Sequence, residues 1–341
     1  MTKNITFRAQ LVGGVADFCH STDLPILSDT LNLVELIVKL ARYQEEGVKL
    51  CPKVYLCNKI ERVVTLLPGG ESLKIGCSSA DVNGIKEALK KCAPLATDGW
   101  LVYIKNSAST IEYGLFRGPE NPISVLVDDV VMTPDEDLSV VKVFQVGDEC
   151  VEVRSNNGDC NYIYLDHRKE SASPPLHYLD ALVNSICFRA LPEQKEPCIS
   201  FLKRLLFESL RQSHGCLIAV TSMNRPPKFL SNDGVILDEA IDFPSLIRSL
   251  KRGDIPSSYL ESKASLLRGM LNSDGVLLFD NSARILGYNC FVKTSQEAMG
   301  AGGGARKRAF LTLKSKIGRG LRSVFIQSQD GWSDYSGETY D

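Results

Sequence analysis

At 341 residues, with 44% hydrophobic and 23% charged residues, the chain has the composition of an ordinary globular protein and the length of two or three domains. Its formal net charge of −2 leaves no global field favouring nucleic acid or an anionic membrane. No run of eighteen apolar residues occurs and no apolar signal region follows Met1, so a soluble cytoplasmic protein is expected.

In chain order, residues 30–46 read as a helix, with Leu31, Leu33, Val34, Leu36, Ile37 and Leu40 apolar. Lys53–Cys57, Arg62–Leu67 and Ser72–Gly76 read as short strands around a turn at Pro68-Gly69-Gly70, and residues 80–92 as a second helix. A strand-rich stretch follows: Trp100–Ile104, Thr110–Phe116, Ile123–Met132, Val140–Val146, Cys150–Arg154 and Tyr162–Leu165. Asn156-Asn157-Gly158-Asp159 marks a hairpin between the last two. A helix near 177–188 closes this α+β region, set at residues 1–190. Glu112–Pro119 and the Asp128-Asp129 pair read as a strand edge and a turn rather than as sites. Regulation or sensing is the expected role of this region, by analogy alone.

The polar segment from Pro192 to Pro197 reads as a hinge. Beyond it the pattern alternates: a helix at 198–213, a strand at 216–222, a helix near 257–271, strands at 275–280 and 284–292, a further helix, and a strand at 321–328. That alternation predicts a compact α/β domain over residues 195–341, with a central mixed sheet flanked by helices. The tail after Gly331, with Asp334, Tyr335, Glu338 and Tyr340, reads as partly disordered.

Two stretches carry chemistry. Gly302-Gly303-Gly304-Ala305-Arg306-Lys307-Arg308 precedes an apolar pattern at helical spacing, Phe310, Leu313 and Ile317. A glycine-rich turn opening a helix offers backbone N–H groups and the positive dipole end, and arginine adds a planar fork matched to phosphate oxygens. Upstream, Asn272-Ser273-Asp274-Gly275-Val276 is an acidic turn running into a strand. A carboxylate there can hold a divalent ion, since Mg²⁺ takes hard oxygens and few protein ligands. Read singly, these are a solvated loop and an Asp-Gly turn.

As an ordered pair, the two resemble the diadenylate cyclase domain, the module that makes cyclic di-AMP. That family has Asp-Gly-Ala at a strand start and, about thirty residues on, Gly-Thr-Arg-His-Arg at a helix start. Asp274-Gly275-Val276 and Gly304-Ala305-Arg306-Lys307-Arg308 stand in those places. Gly215–Val220 resembles the family's first core strand, Gly234-Val235-Ile236-Leu237-Asp238 its short Gly-x-x-Leu-Asp segment, and Ser328-Gln329-Asp330-Gly331 its acidic strand end. The likeness covers only residues 195–341.

The resemblance implies a nucleotidyltransferase that joins nucleoside triphosphates, ATP first among them, into a cyclic or linear dinucleotide signal. It implies catalytic roles for Asp274, Arg306, Lys307 and Arg308. Nucleotide contacts would come from Gly275, Val276, Gly303, Gly304, Ala305, Arg306, Arg308 and Ser328. Mg²⁺ or Mn²⁺ would sit at Asp274 and Asp330, in a homo-oligomer that sets two sites face to face. Domains of this kind occur in bacterial anti-phage systems, which places a defence role among the expectations. The chain departs from the family at Ser273, Ala305, Lys307 and Gln329. Nucleotide binding survives such changes more easily than cyclisation does, so a nucleotide sensor without catalysis is the alternative. An RNA-binding reading of the C-terminal cations lacks the interleaved exposed aromatics that single strands require.

The eleven cysteines include no C-x-x-C pair and show no finger spacing with the four histidines, which predicts buried, reduced thiols and no zinc site.

Overall fold

The structure is a computed structural model that describes residues 7–22, 24, 27, 29–106, 109–118, 123–124, 126–147, 149–165, 177–213, 215–300, 304–328 and 332–338. It is a mixed α/β protein whose chain divides into two compact units, one drawn chiefly from residues 1–172 and the other from 173–341.

The first unit begins with α1 (Phe7–His20) and α2 (Thr30–Ala41), then a two-stranded ribbon, β1 (Gln44–Glu45) and β2 (Val48–Lys49). There follow β3 (Val54–Cys57), α3 (Ile60–Leu66), β4 (Glu71–Ser79), α4 (Val82–Cys92), β5 (Leu101–Asn106), β6 (Thr110–Arg117) and α5 (Val127–Val131). The hairpin strands β7 (Val140–Gly147) and β8 (Cys150–Ser155) and then β9 (Cys160–Tyr164) complete it. Seven strands form one sheet in the order β4-β6-β5-β3-β7-β8-β9, with β3 and β5 parallel. One face packs Val54, Leu56, Val102, Ile104, Val141 and Val143 against α2 and α4, while the other packs Tyr55, Tyr103, Phe116 and Val140 against α3 and α5. The two faces alternate residue by residue along each strand, as pleating requires.

Two segments expected as strands, Arg62–Leu67 and Ile123–Met132, are not strands. Residues 60–66 and 127–131 are helical, as α3 and α5. β-branched runs such as Val63-Val64-Thr65 favour strands locally. Here Ile60, Val63 and Leu67 are buried as a stripe at helical spacing, and tertiary packing outweighs that weak preference.

The second unit runs α6 (Leu179–Ile186), α7 (Pro192–Gln212), β10 (Cys216–Thr221), α8 (Lys228–Ser231), β11 (Val235–Asp242), α9 (Phe243–Arg252) and α10 (Ser257–Asn272). It continues with β12 (Val276–Asp280), β13 (Arg284–Cys290), α11 (Gln296–Met299), α12 (Ala305–Lys314), β14 (Leu321–Gln327) and β15 (Ser333–Gly337). Its sheet has the order β11-β13-β12-β10-β14-β15, with β10 and β12 parallel and the other neighbours antiparallel. Ile218, Val220, Leu277 and Phe279 face α6, α7, α9 and α10, whereas Leu217, Ala219, Val276 and Leu278 face α8 and α12.

Three differences from the sequence reading fall here. The expected hinge at Pro192–Pro197 is the first part of α7, with Pro192 in the first turn, where its missing N–H costs nothing, and Pro197 inside the helix. The helix at 177–188 is α6, and it packs on α7 and β14 of the second unit. The tail read as partly disordered supplies β15, which pairs along β14 from Ser333 to Gly337.

The end of β12 is clasped. Asp280, 1% exposed, accepts the Ser282 and Arg284 backbone N–H groups at 2.9 and 3.0 Å and is ion-paired with Arg284. Arg189 N–H donates to the Asn281 carbonyl at 2.7 Å, and Ala283 N–H to the Ile186 carbonyl at 2.9 Å.

Candidate functional site

Parallel pairing of β10 with β12 sets Leu217 beside Val276, and antiparallel pairing of β10 with β14 sets Cys216 beside Gln327. The starts of β10 and β12 and the finish of β14 therefore share one end of the sheet. Asp274 and Gly275 stand just before Val276, and Ser328 just after Gln327, so both belong to that end.

Gly275 has φ +84°, and a Cβ there would lie 2.8 Å from the Cys290 carbonyl oxygen, so the position needs glycine for conformation and for space. That close approach seats the Asp274 turn against β13. The Asp274 side chain is exposed; its Oδ1 accepts the Gly275 N–H at 2.9 Å, and Oδ2 has no partner among the described residues. A free carboxylate oxygen of this kind suits Mg²⁺ or Mn²⁺, which bind through one or two carboxylates together with substrate phosphates. Asp330, the second expected metal ligand, lies outside the described residues, as do Gly302, Gly303, Gln329 and Gly331. Among the described residues no group of three or more His, Cys, Asp and Glu side chains converges on one point.

The helix α12 begins at Ala305 after Gly304, its N-cap, which offers no capping side chain. Phe310, Thr312 and Leu313 are its buried residues, and it packs on β14 and β10. Arg306 is one turn ahead of Phe310, on the stripe that faces the sheet. Its charge reaches Cys216: burial pushes that thiol up to about 12, and the Arg306 guanidinium acts in the opposite sense. Asp274, Ser328 and Arg306 are thus brought to one end of the sheet. Lys307 is exposed. Arg308 lies one turn ahead of Thr312, whose hydroxyl donates to the Arg308 carbonyl at 3.0 Å and accepts the Ser295 N–H at 3.1 Å. This stripe faces α11, so Arg306 and Arg308 leave the helix on different sides, as an i, i+2 pair must.

Ser328 N–H donates to the Trp332 carbonyl at 2.8 Å. The acidic pair in the first unit has another role. Asp128 accepts hydrogen bonds from Tyr55 Oη and, at 2.9 Å, from Lys142 Nζ. All eleven cysteines are free thiols and eight of them are buried. No helix of the described residues is long and apolar enough to cross a membrane.

One group escaped the sequence reading altogether: Gln194, Arg248, Lys251 and Arg252 line a single cleft between α7 and α9. The proline-bounded segment around Gln194 suggested a hinge, and no motif ties it to three cations some fifty residues on.

No protein-family model matches the chain, and no curated protein matches it. The functional reading therefore rests on the geometry above and on the two motifs.

Proposed function

We propose that residues 195–341 form a nucleotidyltransferase resembling diadenylate cyclases, which joins nucleoside triphosphates, ATP foremost, into a cyclic or linear dinucleotide. One observation carries the reading: the Asp274-Gly275 turn, Ser328 and the Arg306 end of α12 occupy the same end of the sheet. Asp274 and Arg306 belong to the two motifs, thirty-two residues apart, and Ser328 to the third segment that resembles the family.

In this reading Arg306 and Arg308 bind the triphosphate, and Lys307 adds charge from the exposed side. The first turn of α12 offers its dipole to the phosphates. Mg²⁺ or Mn²⁺, bound through Asp274 and the nucleotide, would supply charge neutralisation at the phosphates. Asp274 also orients the 3′-hydroxyl. That oxygen attacks the α-phosphorus in line: a new P–O bond forms, the hydroxyl proton passes to solvent, the bond to the bridging oxygen breaks, and pyrophosphate leaves with the electron pair. Because Arg306 and Arg308 diverge, this reading has one of them serve a nucleotide held by a second copy of the chain, which a cyclic product requires in any case.

The test is incubation of the purified chain with each NTP and dNTP and either metal, with products read by mass. A dinucleotide and pyrophosphate are expected from wild type and neither from Asp274→Asn, with unchanged thermal unfolding. Wild-type turnover by Asp274→Asn removes the metal role. The second reading, a nucleotide sensor, rests on Ser273, Ala305, Lys307 and Gln329 standing where the family has other residues. Nucleotide binding without product from any triphosphate establishes it.

A further inference from the structure

The cleft between the start of α7 and the end of α9 has no part in the site above. It measures about 230 Å³ and is lined by Glu193, Gln194, Ile247, Arg248, Lys251 and Arg252. Gln194 and Ile247 are buried and make the floor, while the three cations are exposed around the rim. Gln194 is only 5% exposed, yet its amide nitrogen Nε2 has no hydrogen-bond partner among the described residues. A buried donor left unmatched costs about 1–3 kcal/mol, and native proteins carry few of them. An acceptor entering the cleft would satisfy it.

The surroundings say what kind of acceptor. The positive end of α7, a helix of 21 residues, opens here without a capping side chain. Its backbone supplies little, because Pro192 has no N–H and the Gln194 N–H turns back to the Leu191 carbonyl at 2.8 Å. The cations must do the binding. Arg248, Lys251 and Arg252 make no ion pair among the described residues, with Glu193 or with any other carboxylate. Nor are they engaged by the end of their own helix. Gly253, in the left-handed conformation at φ +77°, closes α9 by donating to Leu250 at 3.0 Å, and Asp254 N–H donates to Ser249 at 2.9 Å. Three cations and one carboxylate leave the cleft a net charge of +2, which matches the roughly −1.5 to −2 of a phosphate monoester at neutral pH. The volume is below the range of about 300–1,000 Å³ usual for whole small-molecule ligands. It holds a phosphate and little more.

We propose that this cleft is a phosphate-binding site, in which the Gln194 amide donates to a phosphate oxygen while Arg248, Lys251 and Arg252 neutralise its charge. The phosphate is either inorganic or the terminal group of a larger molecule whose remainder stays in solvent.

Calorimetric titration of the full chain with inorganic phosphate and with AMP tests this, in wild type and in an Arg306→Ala/Arg308→Ala background that disables the α12 end. Saturable binding is expected in both proteins, one-to-one in the background that lacks the α12 arginines. Gln194→Leu, which keeps the volume, should weaken binding at least about tenfold, and its unfolding temperature without ligand should be unchanged or higher, because an unmatched polar group is gone. Arg248→Ala/Lys251→Ala, at exposed positions, should weaken binding without altering unfolding. Tighter binding of AMP than of phosphate identifies a terminal phosphate, and equal binding identifies the free ion. Three results overturn the proposal: no saturation by either probe up to about 10 mM, well above the range of a millimolar site; undiminished binding by Gln194→Leu; or loss of binding in the Arg306→Ala/Arg308→Ala background, which would locate the phosphate at α12.

Discussion

Charge is handled in opposite ways at two places, one in each unit. In the first, charges are gathered under cover and matched. Lys142, with 4% of its side chain exposed, lies 2.9 Å from Asp128 and 3.1 Å from Glu152, and Arg154 lies 3.3 Å from the same Glu152 oxygen. The angles around Glu152 Oε1 and Arg154 Nε do not make hydrogen bonds, so these two contacts are charge contacts. Tyr55 completes the group through its hydrogen bond to Asp128. In the second unit, cations are set at helix ends, at the start of α12 and the end of α9, and those of α9 are unmatched among the described residues. Charges that satisfy one another are architecture. Charges brought together without counter-charges need something from outside.

Three measurements can break or sharpen this contrast. The largest effect is expected from Lys142→Ala. It leaves the buried Glu152 and the half-buried Asp128 without their shared cation, and the loss should be about 3 kcal/mol in urea unfolding. A loss under about 1 kcal/mol would mean that the cluster is not architecture.

Next are Arg306→Ala and Arg308→Ala. Each should weaken triphosphate binding by about 1.5–3 kcal/mol, as charged hydrogen bonds to phosphate disappear. Half-buried beside the sheet and α11 rather than in the core, the two positions should lose less stability than binding. An unfolding loss as large as the binding loss would move the α12 arginines into the same class as Lys142.

The smallest effect is one of pH. Burial pushes the Asp128 carboxyl up, but Lys142, Lys53 and the hydrogen bond from Tyr55 outweigh it and hold the group well below the usual carboxylate range. A carboxylate depressed in the folded state stabilises above its unfolded pKa of about 3.9 and loses that contribution as pH falls below it. Acid unfolding followed between about pH 5 and 2 should therefore be less steep in Asp128→Asn than in wild type. Equal slopes would place the acid sensitivity elsewhere.

How much could be read in advance depended on whether the determining contact was local. The strands β8 and β9, joined across Gly158 at φ +107°, were plain from alternation and an Asn-Gly turn. Likewise, α12 followed from Phe310 and Leu313 at helical spacing, and β12 from an unbroken apolar run. Where the chain was misread, distant packing decided. The β-branched residues of α3 are held helical by a sheet face they meet only in the fold. Pro192–Pro197 looked like punctuation, yet it continues into α7, whose Cys198, Phe201, Leu202 and Leu205 are buried in the core. As for the candidate site, its residue types were legible, because Asp-Gly and Gly-x-Arg-x-Arg are compact signals. Their shared location was not, since it depends on the parallel register of β10 and β12. The α7–α9 cleft left no trace in the sequence: an unpaired amide exists only once its neighbours are in place.

The clasp around β12 bears on how the protein can be altered. A two-strand hairpin tip is ordinarily the place to graft a tag or split a chain, because it is exposed and makes few contacts. Here the tip between β12 and β13 is sealed. Asn281 is 4% exposed and Ala283 fully buried, and their backbones are tied to Arg189 and Ile186. An insertion there would pull apart the residues that join α6 to the sheet, at the far end of the same strand that begins beside Asp274. A reporter or permuted terminus belongs instead at the exposed turn beyond α9, around Gly253 and Asp254, provided that the neighbouring cleft is left intact.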